Sequence, residues 1–167
     1  MPHILMIATG GTIACCETAH GLSPALDSAA LLGALPELSA LCTVETLDLM
    51  QLDSTDVTAA DRQRMAQAVW QNREKFDGFV LTHGTDTLEE TAYLLDLVHN
   101  SEKPVCLTGA MRSAAEISPD GPVNLLCAVR TAASSEARGK GVLVVMNEEI
   151  HAAREVVKSH SANTETF

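Results

Sequence analysis

Short apolar runs recur along the chain at His3–Ala8, Val44–Leu49, Gly78–Thr82, Val105–Leu107 and Val142–Met146. Most are continuously apolar and do not alternate, the pattern of strands buried on both faces. Stretches with helical spacing lie between them. Thr58-Ala59-Ala60-Asp61 reads as a capping-box variant opening a helix through about Glu74. Leu88–Val98 places Leu88, Ala92 and Leu95 on one side, and Val123–Ala133 follows Gly121-Pro122, with the proline suited to a first helical turn. Strand and helix alternate throughout. The pattern predicts an α/β fold: a three-layer, doubly wound, mainly parallel sheet with helices on both faces.

Such sheets bind ligands at the carboxyl ends of their strands. The candidate positions are therefore those just after the apolar runs: Thr9-Gly10-Gly11-Thr12, Asp53-Ser54-Thr55-Asp56, His83-Gly84-Thr85-Asp86-Thr87 and Gly109-Ala110-Met111-Arg112. Each has a plain reading and a chemical one. Gly10-Gly11 is a tight strand-to-helix turn, or a place where backbone approaches a ligand and Thr12 offers a hydroxyl on a glycine-hinged segment. It lacks the G-x-G-x-x-G spacing of dinucleotide sites. Asp86 is a helix cap, or a carboxylate that accepts a hydrogen bond from a substrate ammonium. Thr85 places a second hydroxyl on the same rim, and free N–H groups at a helix start can hold a carboxylate or a developing oxyanion. Asp53–Asp56 is a polar loop with an N-cap. Lys158, taken alone, is a solvated surface charge.

Length and composition narrow the classes. A chain of 167 residues, 46% hydrophobic and 20% charged, is expected to form one domain with a real core, built from aliphatic residues because aromatics are only 3%. The net charge of −11, with Lys and Arg scattered singly, disfavours a nucleic-acid role, and no nucleic-acid partner is expected. Cys15, Cys16, Cys42, Cys106 and Cys127 show no C-x-x-C spacing and suit a reducing compartment; Cys106 and Cys127 read as core residues. Without a basic n-region or an apolar run of membrane-spanning length, the expected location is cytoplasmic, with no membrane partner. The histidines show no ligand spacing, so no metal is expected, and Glu148-Glu149-Ile150-His151 reads as a solvated turn.

The order and spacing of Thr9-Gly10-Gly11-Thr12-Ile13-Ala14, Asp77–Thr87, Gly109-Ala110-Met111-Arg112, Asp120–Leu125 and Gly141–Asn147 resemble the bacterial-type L-asparaginases, which include glutaminase-asparaginases. The resemblance covers residues 1–167 as the family's N-terminal domain. It implies an amidohydrolase that cleaves L-asparagine, possibly also L-glutamine, to the acid and ammonia, without a cofactor, in a homo-oligomer. Thr12 matches the nucleophile of a double displacement through an acyl-enzyme. Thr85, Asp86 and Lys158 match a second polar triad. Ser54 and Thr55 match the groups that hold the substrate's α-carboxylate, Asp86 also takes the α-ammonium, and Gly11 and Gly84 line the substrate site.

The chemistry demands such a set. A threonine hydroxyl needs a base, an amide needs N–H donors at its forming oxyanion, and a lysine serves as a base only with a depressed pKa. Leu22 stands where the family carries a tyrosine on the loop after Thr12, and Tyr93, the sole tyrosine, lies in a predicted helix. The family's smaller C-terminal domain, which completes a neighbouring subunit's site, is absent from these 167 residues. Lys158–Phe167 reads as the beginning of a connection. Two further readings stand beside the enzyme: an asparagine- or aspartate-binding domain, or half of a split asparaginase, impaired in turnover; and an amidase subunit of a tRNA-dependent amidotransferase, which the acidic balance opposes.

Overall fold

The computed structural model describes residues 1–19 and 21–167, and of Leu22 the backbone alone. Six strands form one sheet: β1 (His3–Gly10), β4 (Thr43–Leu52), β5 (Gly78–Thr82), β6 (Val105–Thr108), β7 (Val142–Met146) and β8 (Glu149–Ala152), in the order β4-β1-β5-β6-β7-β8. All neighbours are parallel except β7 and β8. A separate two-stranded hairpin, β2 (Cys15–Thr18) with β3 (Gly21–Pro24), follows the first strand. Among the described residues four α-helices complete the layers: α1 (Ser28–Gly33), α2 (Ala59–Asn72), α3 (Leu88–Val98) and α4 (Gly121–Ala133).

Alternate residues of the central strands point to opposite faces, as the pleat requires. Leu5, Ile7, Phe79 and Leu81 pack with α2 and α3, whereas Ile4, Met6 and Val80 pack with α1 and α4. The expected three-layer α/β sheet is what the chain adopts. The capping box at the start of α2 is present in both halves: Asp61 N–H donates to Thr58 Oγ1 and Thr58 N–H to the Asp61 carboxylate. The Thr58 hydroxyl, which also donates to Asp61 Oδ2 at 2.6 Å, and then the Thr58 N–H hold the Asp61 carboxyl below the usual carboxylate range.

From β4 through β7 the chain steps in one direction along the sheet, yet α2 and α3 cover one face and α4 the other. The crossover through α4 therefore has the opposite hand to the two before it, and the strong preference for right-handed crossovers makes it the left-handed one. As a result the start of α4 lies beneath the Thr12 turn: a Cβ on Gly121 would stand 2.9 Å from Ile13 Cγ1.

One expectation is corrected. Glu149–Ala152 is an edge strand, not a turn. The turn is Asn147-Glu148, both at positive φ (53° and 62°), between the paired residues Met146 and Glu149. Two consecutive left-handed residues are the backbone of a tight type I′ hairpin, which needs no glycine when Asn leads. Among the cysteines, Cys106 is fully buried and its thiol is pushed up to about 12 by burial, while Cys127 is only half-buried. Among the described residues no helix is long and apolar enough to cross a membrane.

Candidate active site

β1 has β4 on one side and β5 on the other, so the chain leaves β1 toward α1 and leaves β5 toward α3 on the opposite face. The crevice between these two strand ends is the switch point at which open α/β sheets bind ligands. Gly10 and Gly11 let the first loop enter it. A Cβ on Gly10 would lie 2.4 Å from Leu52 O, and one on Gly11 would lie 2.3 Å from Gly84 N. Gly11 N–H donates to Leu52 O at 2.9 Å. The loop is thus wedged between the end of β4 and the segment after β5.

Ser54 stitches the same two segments from below. It is buried, its Oγ accepts Asp86 N–H at 3.2 Å, and its carbonyl accepts the Thr87 hydroxyl at 2.8 Å. A Cβ on Gly84 would collide with Ser54 Oγ at 2.7 Å. The expected N-cap in this loop is Asp53, whose carboxylate accepts Thr55 N–H at 3.0 Å and the Thr55 hydroxyl at 2.9 Å. Thr55 is exposed and its hydroxyl is already committed to Asp53.

Lys158 is no surface charge. Its side chain is 12% exposed, and Nζ donates to Thr85 Oγ1 at 2.9 Å and to Asp86 Oδ1 at 2.6 Å. Asp86 does not cap α3: the capping position is Thr87, without a side-chain cap bond. The carboxylate is committed to the lysine instead. Thr85, Asp86 and Lys158 therefore stand together beside Gly84, against which Gly11 packs, and the half-buried Thr12 that follows Gly11 opens a single turn of 3-10 helix. Among the described residues neither the Thr12 hydroxyl nor the Thr85 N–H has a hydrogen-bond partner.

Behind the rim, His83 is fully buried. Its Nδ1 lies 2.7 Å from Gly84 O and its Nε2 3.0 Å from Thr91 Oγ1, which accepts Arg62 Nε–H at 3.1 Å. A carbonyl only accepts and Arg62 only donates, so the chain of donors runs Arg62, Thr91, His83, Gly84, with the ring proton on Nδ1. Burial pushes the imidazole below its ordinary value and keeps it neutral. The loop after β6 forms a second wall. The Asp120 carboxylate accepts Met111 N–H at 3.0 Å and Arg112 N–H at 2.8 Å, and Asn124 Nδ2 donates to Gly109 O at 3.1 Å.

The β2–β3 hairpin rises directly from the Thr12 turn, and Leu22 pairs with Glu17 through its backbone. The Leu22 side chain, and so the comparison with the family's tyrosine, lies outside the described residues. Cys15, at the base of this hairpin, is buried, and its thiol donates to Gly11 O at 3.5 Å. Burial first, then Asp53 and Cys16, push that thiol up, away from the reactive thiolate form. Among the described residues no cluster of His, Cys, Asp or Glu is arranged to hold a metal ion.

The motifs and the fold converge with the comparisons. The asparaginase N-terminal family model matches residues 3–167. The chain belongs to the asparaginase family. It is 42% identical to a probable periplasmic L-asparaginase of Haemophilus influenzae across all of this chain and 49% of that protein. It is 39% identical to L-asparaginase 2 of Escherichia coli, again over all of this chain and 49% of that one. A probable cytoplasmic L-asparaginase from Campylobacter jejuni, known as a crystal structure, superposes with a TM-score of 0.92 at 41% identity, covering 99% of this chain and 51% of that one. The chain spans about half the length of these relatives.

Sequence reasoning did not single out Glu89, Thr91, Arg62, Asp120 or Asn124 as supports of the site. An acidic residue in a first helical turn, such as Glu89, looks the same whether it serves the helix dipole or a neighbouring strand. The polar residues of α2, α3 and α4 carry no local mark of what they touch.

Proposed function

We propose that this chain is the nucleophile-carrying, substrate-binding domain of an L-asparaginase, hydrolysing L-asparagine to L-aspartate and ammonia. The observation that carries the reading is Lys158 Nζ held by both Thr85 and Asp86, beside Gly84, against which the glycine before Thr12 packs, at the sheet's switch point. The names of the relatives agree with it, and a glutaminase-asparaginase of Pseudomonas fluorescens, 40% identical over this whole chain, brings L-glutamine in as a second substrate. One methylene changes discrimination by only about 1–3 kcal/mol.

In this reading Thr12 Oγ attacks the side-chain amide carbon and gives up its proton. The Thr85 N–H, free of any protein acceptor, meets the developing oxyanion. Collapse breaks the C–N bond and ammonia leaves with the proton; water then hydrolyses the acyl-threonine. Ser54 keeps a hydroxyl proton to donate to the α-carboxylate while its oxygen accepts Asp86 N–H. The outer oxygen of Asp86, half exposed, takes the α-ammonium. The reading extends to a homo-oligomer whose sites are completed by the family's second domain, and to a cytoplasmic home. The free cysteines suit that compartment, as does the name of the Campylobacter protein, although the Haemophilus relative is named periplasmic.

Ammonia release from L-asparagine by the 167-residue chain, with Thr12→Ala as control, tests it. Release that vanishes in the variant supports the threonine nucleophile. Release that persists removes Thr12 from that role. Silence in both, with L-aspartate still raising the melting temperature, favours a binding domain without turnover, the reading that Leu22 supports.

A further inference from the structure

Lys158 belongs to no helix or strand, and its neighbours Val157 and Ser159 are exposed. A long, flexible side chain on an irregular strap does not hold a fixed ammonium position by itself. The strap is anchored at Val156, which enters the core, and at Ser159, whose N–H donates to Thr166 O at 2.6 Å. Between these anchors the only polar tether on the backbone among the described residues is Lys158 N–H, which donates to the Glu89 carboxylate. Glu89 lies in the first turn of α3, three residues past Asp86. One short stretch, 85–89, therefore grips the lysine twice: Thr85 and Asp86 hold the ammonium, and Glu89 holds the peptide that bears it.

We propose that Glu89 is the positioning residue of Lys158, fixing the strap to α3 so that the ammonium meets Thr85 and Asp86. That Lys158 belongs to a catalytic site rests on the function proposed above; the tether does not. Glu89 touches no reacting atom. Its carboxylate acts as an acceptor, so an amide of the same length serves, whereas a shorter or apolar side chain lets the strap open. Opening exposes Nζ to solvent, and the loss of a hydrogen bond to a charged group shifts such a local equilibrium by about tenfold.

The test is trace acetylation of the lysines of the 167-residue chain by a pulse of acetic anhydride, read by mass spectrometry. In the parent chain Lys158 labels slowly. Glu89→Ala is expected to label Lys158 about tenfold faster while Lys75, Lys103 and Lys140 stay unchanged, and Glu89→Gln is expected to match the parent. Unchanged Lys158 labelling in Glu89→Ala overturns the proposal, as does fast labelling in Glu89→Gln. Should Glu89→Ala label every lysine, and so be unfolded, Glu89→Asp carries the same comparison: it keeps the charge one methylene short, and labelling at the parent rate overturns the tether. Labelling requires no turnover. An absence of ammonia release therefore counts against the proposed activity alone, and an unmoved Lys158 against Glu89 alone.

Discussion

Lys158 Nζ lies 2.6 Å from Asp86 Oδ1, although 72 residues separate them. The pair joins the last strap of the chain to the segment after β5 and places both charges at the mouth of the crevice. Asp86 carries the charge that meets the lysine ammonium, and it is also the proposed seat of the substrate ammonium. Asp86→Asn keeps the shape and removes the charge from both contacts. Hydrogen bonds to charged groups contribute about 1.5–3 kcal/mol, and the half-exposed carboxylate argues for the low end, so L-aspartate affinity should fall about tenfold. Calorimetric titration of the two proteins with L-aspartate measures it. Equal affinity would remove Asp86 from ammonium binding.

The tightest contact in the site is between two glycines. Gly11 sits at φ 79° and ψ 177°, a region open essentially to glycine alone, and a Cβ there would lie 2.3 Å from Gly84 N. Gly11→Ala therefore combines backbone strain with a clash against a peptide that Ser54 and His83 hold in place. Strain alone costs about 1–3 kcal/mol. With the clash we expect a loss of about 3 kcal/mol or more, a drop of roughly 6–12 °C in melting temperature for a chain of this size. Gly21→Ala is the comparison: it also has positive φ, but among the described residues no atom beyond its chain neighbours lies within 4 Å of the added methyl, and it should cost less. A thermal scan of both decides it.

Much of this architecture is legible in the residues, and what is not has identifiable causes. Runs such as Val142–Met146 declare themselves because both faces are buried, and Thr58 with Asp61 marks a helix start by its own chemistry. The edge strand β8 does not, because Ile150 is exposed and the tight turn before it uses Asn147-Glu148 where glycine would be the signal. The hairpin β2–β3 is hidden for a related reason, being short and only partly buried. The site divides along similar lines. Gly11, Gly84 and Thr85 follow strands, so topology alone nominates them. Asp86 is ambiguous locally because a cap and a lysine partner are the same residue type, and Lys158 reads as surface because its partners lie 72 and 73 residues away.

The sulfur of Met146 accepts Gly109 N–H at 3.3 Å in the buried floor of the loop after β6, where Thr108 Oγ1 and Asn124 Nδ2 also approach it. Met146→Leu conserves volume but leaves a buried N–H unsatisfied, which costs about 1–3 kcal/mol beyond the packing change. Met65→Leu, equally buried, has no such donor to lose and should stay within the usual cost of a volume-conserving swap, under about 1.5 kcal/mol. Urea unfolding of the two variants separates the effects. Equal losses would show that the sulfur contact contributes nothing.

His83 gives the chain a definite acid response. Its pKa is lowered from 6.5, by burial first and by the Arg62 charge behind it, against a smaller opposing pull from the Gly84 carbonyl and Glu90. The unfolded chain therefore binds more protons than the folded one between the folded value and 6.5. Stability rises with pH wherever that holds, so the contribution is full above 6.5 and declines as pH falls below it, levelling only beneath the folded value. His83→Asn removes the titrating ring while its amide can still donate to Gly84 O from the Nδ1 position. The variant is expected to be less stable near neutrality, having lost ring packing and the bond to Thr91, but its stability should fall less steeply between pH 6.5 and 5. Unfolding midpoints at a series of pH values compare the slopes. Parallel slopes would mean that the imidazole takes up its proton as readily in the folded chain as in the unfolded one, and would remove the buried-neutral reading.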